Sequence, residues 1–207
     1  MAKKLVIFDM DGTLVDSSVT IVNAINFVRS KIGLELLDEK LILDNVNNSA
    51  IKSSEFYYNA ERFTLEHEKW FSEYYSKNHE YEIRFYNGIE SLLTMLKLDG
   101  YRLAVATNAY RVSVMESLKH LNIDHIFDVI VCADDVSKPK PDPEMLYYIL
   151  NKLGLSREEA IFVGDGERDL QASHNANIDY LMVNWGFSDY SDAIHSVKEL
   201  QKSILEL

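Results

Sequence analysis

The sequence predicts an α/β fold in which helices cover both faces of a parallel sheet. Five short runs of apolar residues recur along the 207-residue chain, and each run ends in polar or glycine residues. Continuous rather than alternating apolar runs are typical of strands that are buried on both faces. Stretches with helical periodicity separate these runs. Such alternation of strands and helices favours parallel pairing through right-handed crossover connections.

The predicted strands lie at residues 5–8, 101–109, 127–135, 159–167 and 178–186. Helices between them are indicated by apolar residues three and four positions apart, as at Ile89, Leu92 and Leu96. The clearest helix follows Asp142, which can cap it, with Pro143 in its first turn and Gly154 at its end.

Residues 17–86 differ from the rest of the chain, because they have no comparable strand run and are rich in tyrosine, asparagine and glutamate. Apolar residues with helical spacing, between Ile21 and Val28 and between Leu65 and Tyr75, predict a mostly helical segment. We therefore predict a catalytic core made of residues 1–16 and 87–207. Residues 17–86 are predicted to form a small helical cap domain inserted after the first strand.

Composition and charge narrow the classes of function. The formal net charge of −12 disfavours nucleic acid as a partner, since phosphate-backbone binders carry clustered lysine and arginine. The lysines form no membrane-surface face, and no apolar run approaches the length of a membrane span. Cys132 is the single cysteine, so no internal disulfide is possible and a reducing compartment is expected. We predict a cytoplasmic protein.

Polar residues follow several predicted strands at the point where each strand ends. In an open parallel sheet, ligands bind beyond the carboxyl ends of the strands, near the point where the strand order reverses. The candidate site residues at this edge are Asp9, Asp11, Thr107, Asn108, Lys138, Asp165 and Asp169.

This set of residue types suits phosphoryl transfer assisted by a hard cation. Carboxylates placed close together repel each other, and Mg²⁺, which prefers oxygen ligands, would offset that repulsion. Asp9 can then act as a nucleophile, and Asp11, two residues further on, can lend and recover a proton. Thr107 and Lys138 would hold and neutralise the oxygens of the transferred group.

Four motifs together carry a family resemblance that spans the whole chain. They are "DMDGTLVDS" from Asp9, "ATNA" with Thr107, "KPKPDP" from Lys138, and "GDGERD" with Asp165 and Asp169. With these motifs the chain resembles the haloacid dehalogenase superfamily, and within it the phosphoglycolate-phosphatase-like phosphatases.

The resemblance implies a Rossmann-like core with an inserted helical cap, Asp9 as nucleophile and Asp11 as general acid and base. It also implies Mg²⁺ held by the Asp9 side chain, the Asp11 backbone carbonyl and Asp165, with Asp169 in support. Because Lys138 directly precedes a Pro-x-Pro sequence, we assign the family's lysine position to Lys138 rather than to Lys140.

The predicted activity is hydrolysis of a small phosphomonoester, phosphoglycolate-like, through an aspartyl-phosphate. Asp11 favours phosphate over carbon–halogen chemistry, since the dehalogenases have a different residue there. Ile21 stands where the related mutases carry histidine. A nucleotidase, a sugar-phosphate phosphatase or phosphomutase, and a non-catalytic module that binds a phosphorylated ligand remain the alternatives. We further predict that Asn47 and Asn48 overhang the site and bind the leaving group of a small phosphorylated metabolite.

Overall fold

The computed structural model describes residues 3–46, 48, 50–185, 190 and 192–207. Its main sheet consists of β1 (Leu5–Phe8), β4 (Arg102–Ala106), β5 (Val129–Val131), β6 (Ala160–Gly164) and β7 (Asp179–Met182), all parallel. A separate antiparallel pair consists of β2 (Val15–Asp16) and β3 (Arg84–Phe85). The predicted α/β fold is confirmed, and each predicted run contains one strand of the main sheet. The end of the last run, Gly186, lies outside the described residues.

The order of the strands across the sheet is β5-β4-β1-β6-β7, so the first strand lies at the centre. Phe8, at the end of β1, pairs with Val105 on one side and with Val163 on the other. The chain fills one half of the sheet with β4 and β5 and then crosses to β6 and β7. The strand order therefore reverses beside β1, and the carboxyl ends of β1, β4 and β6 lie next to one another.

The described residues form nine α-helices. They are α1 (Ser18–Lys31), α2 (Glu39–Val46), α3 (Ser53–Tyr58), α4 (Leu65–Glu82), α5 (Ile89–Leu98), α6 (Arg111–His120), α7 (Glu144–Leu153), α8 (Glu167–Ala176) and α9 (Val197–Leu205). Asp142 Oδ1 accepts a hydrogen bond from the Glu144 N–H at 3.0 Å at the start of α7, as the sequence predicts. Pro143 directly precedes this helix instead of lying in its first turn, and Gly154 ends the helix with φ +66°. No helix in the described part of the chain combines the length and the apolar character needed to cross a membrane.

Alternating residues of the strands belong to two apolar clusters, one on each face of the sheet. Val6 and Phe8 pack on the face covered by α5, α6 and α9. Leu5 and Ile7 pack on the opposite face against α7 and α8. All four side chains are fully buried. This double burial explains why β1 reads as a continuous apolar run in the sequence.

The helices α1 to α4 lie between β2 and β3 and enclose an apolar cluster of their own, which includes Ile25, Ile42 and Tyr57. The C-terminal half of α4 lies outside this cluster. Its Tyr75 packs instead with the residues on one face of the main sheet. The Tyr75 hydroxyl also lies 3.3 Å from Ser117 Oγ of α6. The helical segment is therefore packed against the sheet layer through α4.

Candidate active site

Asp9 follows the last residue of β1 and is fixed there by the neighbouring strand. Its N–H donates to the carbonyl of Val163 at 2.8 Å, which continues the pairing of β1 with β6. The chain then turns sharply, because the N–H groups of Leu14 and Val15 both donate to the carbonyl of Met10, at 2.9 and 3.0 Å. Asp9 therefore lies at the edge of the sheet formed by the carboxyl ends of the strands.

Thr107 lies at the same edge, directly after β4. Its N–H donates to the carbonyl of Val131 at 3.0 Å, and its side chain is buried. The hydroxyl oxygen accepts a hydrogen bond from the Ala109 N–H at 3.1 Å, which leaves the hydroxyl hydrogen to donate elsewhere. Thr107 therefore supplies a hydroxyl group of the kind that binds a phosphoryl oxygen.

Asp165 and Asp169 come from the junction between β6 and α8. Asp165 is fully buried, and Thr13 Oγ1 donates to its Oδ1 at 3.4 Å. Asp169, in the first turn of α8, folds back over Gly164. A Cβ atom added to Gly164 would lie 2.6 Å from Asp169 Oδ2, closer than real Cβ contacts allow. The glycine before Asp165 is therefore needed so that Asp169 can reach the site.

Lys140 joins these acidic residues at the centre of the site. Its Nζ lies 2.6 Å from Asp9 Oδ1 and 2.6 Å from Asp169 Oδ1, and its side chain is only 3% exposed. Burial by itself lowers the pKa of the ammonium group, but Asp169 and Asp9 raise it by more, so the net shift is upward. Lys140 is therefore charged in this site, and it fixes the positions of two carboxylates that are far apart in sequence.

The assignment of the site lysine to Lys138 is corrected by this arrangement. Lys138 is exposed, and its backbone N–H donates to the carboxylate of Glu144 at 2.9 Å. In "KPKPDP" both lysines precede a Pro-x-Pro sequence, Lys138 before Pro139 and Lys140 before Pro141. The motif alone therefore does not distinguish them, and the structure brings Lys140, not Lys138, to the acidic cluster.

Asn108 holds the backbone of Lys140 in place. The Asn108 side chain donates to the Lys140 carbonyl at 2.9 Å and accepts from the Lys140 N–H at 2.9 Å. This reciprocal pair engages both ends of the amide. Asn108 thus fixes the backbone of the site lysine in the structure, and its predicted role in substrate binding stays a prediction.

The three carboxylates of the cluster differ in their access to solvent. The Asp9 side chain is 9% exposed, that of Asp169 is 4% exposed, and Asp165 is fully buried. Burial is the largest influence on Asp9 and raises its pKa, while Lys140 acts in the opposite direction; the net result is a pKa of about 7. Asp9 is thus the most accessible acid of the cluster, and a further positive charge would favour its ionised form.

Asp11 is oriented differently, because its carboxylate accepts a hydrogen bond from the hydroxyl of Ser17. Burial raises the pKa of Asp11, while the Ser17 hydrogen bond and the charge of Lys140 lower it by less. A raised pKa favours the protonated form of the carboxyl group, which is the form that a general acid requires. Ser17 is not among the site residues predicted from the sequence, although it stands at the end of "DMDGTLVDS".

The donor set of the site fits a divalent cation. Asp9, Asp165 and Asp169 each offer one carboxylate oxygen, and these oxygens all lie within 4.8 Å of one another. Hard oxygen donors of this kind, completed by water and substrate oxygens, are the ligands that Mg²⁺ prefers. Three buried carboxylates beside a single lysine also leave an excess of negative charge, which a cation would neutralise.

The helical segment contacts α8, next to Asp169, through the stretch that follows α2. Arg168 of α8 donates to the Asn48 carbonyl and to Ser53 Oγ, both at 3.3 Å. The Asn48 side chain is engaged locally, since it donates to Asn45 Oδ1 at 3.3 Å and accepts from the Ala50 N–H at 2.9 Å. The predicted role of Asn48 toward a leaving group stays a prediction, and Asn47 lies outside the described residues.

Comparisons with known proteins agree with this geometry. The model of the haloacid dehalogenase-like hydrolase family matches residues 6–183. The phosphoglycolate phosphatase of Mannheimia succiniciproducens is 31% identical over 195 residues, with 89% of this chain and 87% of that protein covered. The phosphoglycolate phosphatase of Yersinia pestis is also 31% identical over 195 residues, with 91% of this chain and 84% of that protein covered.

A solved structure shows the same architecture over its whole length. The crystal structure described as a predicted phosphatase from Clostridium acetobutylicum superposes with a TM-score of 0.85 and 29% sequence identity, and all of both chains is covered. The fold of this chain therefore occurs in a protein of similar length.

Proposed function

The chain belongs to the haloacid dehalogenase-like hydrolase family and is a phosphatase, and we propose that it hydrolyses a small phosphomonoester through a phosphoryl group carried on Asp9. The observation that carries this proposal is the bridge in which Lys140 contacts both Asp9 and Asp169 at 2.6 Å. Lysines are almost never fully buried unless they are paired, and this pairing lies at the edge of the sheet where ligands bind.

In the proposed first step, a carboxylate oxygen of Asp9 attacks the phosphorus atom and the bond to the leaving oxygen breaks. Asp11, whose pKa is raised by burial, donates its proton to that oxygen, so the product leaves as a neutral alcohol. The Thr107 hydroxyl and the Lys140 ammonium bind the oxygens of the transferred group, where negative charge is concentrated.

In the proposed second step, water attacks the phosphorus atom of the aspartyl-phosphate. Asp11, now ionised, accepts a proton from this water, and the bond between phosphorus and the Asp9 oxygen breaks. Phosphate is released and both aspartates return to their starting states. One residue serves as acid and then as base, which requires that Asp11 face the same oxygen position in both steps.

We propose Mg²⁺ as the cofactor, held by the Asp9 side chain, the Asp11 backbone carbonyl and Asp165, with Asp169 in support. When bound, the ion would neutralise negative charge on the phosphoryl oxygens. This proposal is supported by the spacing and the burial of the three carboxylates.

Removal of the metal is expected to abolish activity, and Mg²⁺ is expected to restore it. Ca²⁺ is expected to bind but to support turnover poorly, because its larger and more flexible shell does not hold the in-line geometry. At a free concentration of about 100 times its dissociation constant, bound Mg²⁺ is expected to contribute about 2.7 kcal/mol to the free energy of unfolding. In a protein of this size that corresponds to a rise in melting temperature of about 5–10 °C.

The control for this measurement is Asp165→Asn, which removes one charge from the cluster. It should lose both the Mg²⁺-dependent activity and the Mg²⁺-dependent rise in melting temperature. An unchanged melting temperature for the unmodified chain with and without Mg²⁺, together with full activity in chelator, would contradict the proposed cofactor.

The variant Asp11→Asn tests the proposed proton transfer. It should lower kcat/KM by about two to four powers of ten on an alkyl phosphate, whose leaving group needs a proton. The loss of kcat/KM on an aryl phosphate should be smaller, since a phenolate leaves without protonation. The second step is common to both substrates, and its slowing lowers kcat and not kcat/KM. Steady-state kinetics with both substrates measure this difference, and equal rates for the variant and the unmodified chain would rule out the role given to Asp11.

The physiological substrate is proposed to be a small phosphorylated metabolite resembling phosphoglycolate. Two relatives that are 31% identical are phosphoglycolate phosphatases, which supports this class. We propose that residues 17–86 act as the cap that closes over the site and excludes water. The buried and unpaired Cys132 supports a reducing compartment, and we propose the cytoplasm. Turnover measured across a panel of phosphorylated metabolites tests the substrate class.

A further inference from the structure

Arg168 crosses from the sheet layer to the helical segment beside the acidic cluster. It lies in the first turn of α8, next in sequence to Asp169, which contacts Lys140. Its guanidinium group donates to two groups of the helical segment, the Asn48 carbonyl and Ser53 Oγ, both at 3.3 Å. The positive charge of Arg168 is therefore held at the boundary between the site and the segment above it.

Arg168 forms no salt bridge with an acidic residue that the structure describes, although the chain carries 33 aspartates and glutamates. The neighbouring carboxylate of Asp169 is already engaged, since its two oxygens accept from Lys140 Nζ and from the Gly166 N–H. The two hydrogen bonds that Arg168 makes to described residues are both 3.3 Å long and go to neutral oxygens. Both come from one nitrogen, Nη2, of a group that has five N–H donors.

Holding this charge away from water has a cost. Burial lowers the pKa of Arg168, and the nearby Tyr57 and Asp169 offset this only in part. An arginine stays charged at any physiological pH, so the cost cannot be avoided by loss of a proton. Partly buried arginines of this kind are ordinarily paired with a carboxylate or a phosphate.

We infer that Arg168 is a specificity-determining residue that binds an anionic group on the leaving alcohol of the substrate. This inference rests on the proposed function. In this inference, a small substrate whose phosphoryl group lies at Asp9 extends toward the helical segment that Arg168 contacts. The anionic group is a carboxylate or a second phosphate, because either one matches the planar fork of a guanidinium group.

The variant Arg168→Gln tests the inference, because glutamine removes the charge but can still donate to the Asn48 carbonyl. Three substrates are compared: phosphoglycolate, ethylene glycol bisphosphate, and hydroxyethyl phosphate, in which a neutral group replaces the carboxylate. For phosphoglycolate and the bisphosphate, whose leaving groups are anionic, we expect kcat/KM to fall about tenfold or more. The loss should come chiefly through KM, since a charged hydrogen bond is lost. For hydroxyethyl phosphate the change should be no more than about twofold.

Two further variants separate this role from general effects. Arg168→Lys should recover part of the loss, because it restores the charge without the fork. Lys152→Gln, which removes an exposed charge on α7, should leave all three substrates unaffected. The relative losses on phosphoglycolate and on the bisphosphate identify which anionic group is bound. Equal losses of kcat/KM on all three substrates would show that Arg168 only joins α8 to the helical segment, and they would overturn the inference. An unchanged kcat/KM for all three substrates would overturn it as well.

Failure of the proposed function would give a different result. If the unmodified chain hydrolyses none of the three compounds, calorimetry still measures their binding. The inference then stands if phosphoglycolate or the bisphosphate binds about tenfold more tightly than hydroxyethyl phosphate and Arg168→Gln removes that preference. It fails if the three compounds bind equally.

Discussion

Asp9→Asn is expected to abolish turnover, with kcat reduced by roughly four to six powers of ten, the range found when a nucleophile is removed. An amide oxygen does not form the acyl-phosphate, so no later step can proceed. Substrate hydrolysis measured at saturating Mg²⁺ tests this. Near-normal activity of the variant would refute the mechanism in which Asp9 carries the phosphoryl group.

The folding stability of the same variant provides the control. The folded protein raises the pKa of Asp9 to about 7, so this group favours folding at low pH, and that contribution is lost as the pH rises through about 7. Above that pH the ionised Asp9 is disfavoured in the metal-free protein, and the asparagine removes this cost. The melting temperature in chelator at alkaline pH should therefore not fall. The exposed Asp99→Asn should change neither activity nor stability.

Lys140→Met is the second change with a large expected effect. It removes the cation from between Asp9 and Asp169, and activity should fall by about two to three powers of ten, the usual value for one group that stabilises transition-state charge. The buried carboxylates would then lack their partner, which typically costs about 3–5 kcal/mol of folding stability. Kinetics and urea unfolding at neutral pH, both in defined Mg²⁺, measure the two effects.

The matched control is Lys138→Met, which makes the same chemical change two residues earlier. Lys138 is exposed, so both activity and stability should change little, by no more than about twofold in kcat/KM. If the Lys138 variant were inactive and the Lys140 variant active, the assignment made from the sequence would be right and the structural one wrong.

Much of the fold and part of the site can be predicted from the sequence for a definite physical reason. A strand buried on both faces must be apolar throughout, so β1 and β6 stand out, and the first polar residue after each one must lie at an edge of the sheet. Asp9 and Asp165 are identified in this way. The short pair β2 and β3 has no such signal, since two residues are too few to show a period.

The remaining site residues depend on contacts between distant segments. Lys138 and Lys140 have the same local pattern, and what separates them is the Asn108 amide, which lies on another loop and binds the backbone of Lys140. Likewise, a sequence shows that asparagines follow α2 but not that Arg168 of α8 contacts Asn48. Contacts of this kind are determined by the tertiary structure, and the sequence of a single chain has no periodic pattern that predicts them.

The pairing of β2 with β3 also has a consequence for how the chain folds. Val15 pairs with Phe85 and Asp16 with Arg84, so the two ends of the helical insertion meet at its base. The central partners β1 and β4 are remote in sequence, and joining remote segments is entropically costly and slow. Pairing of β2 with β3 closes a loop over the same insertion and meets that entropic cost, after which β1 and β4 are joined by a short effective loop. Because this cost grows only with the logarithm of loop length, doubling the length of the insertion is expected to add only about 0.6 kcal/mol to it.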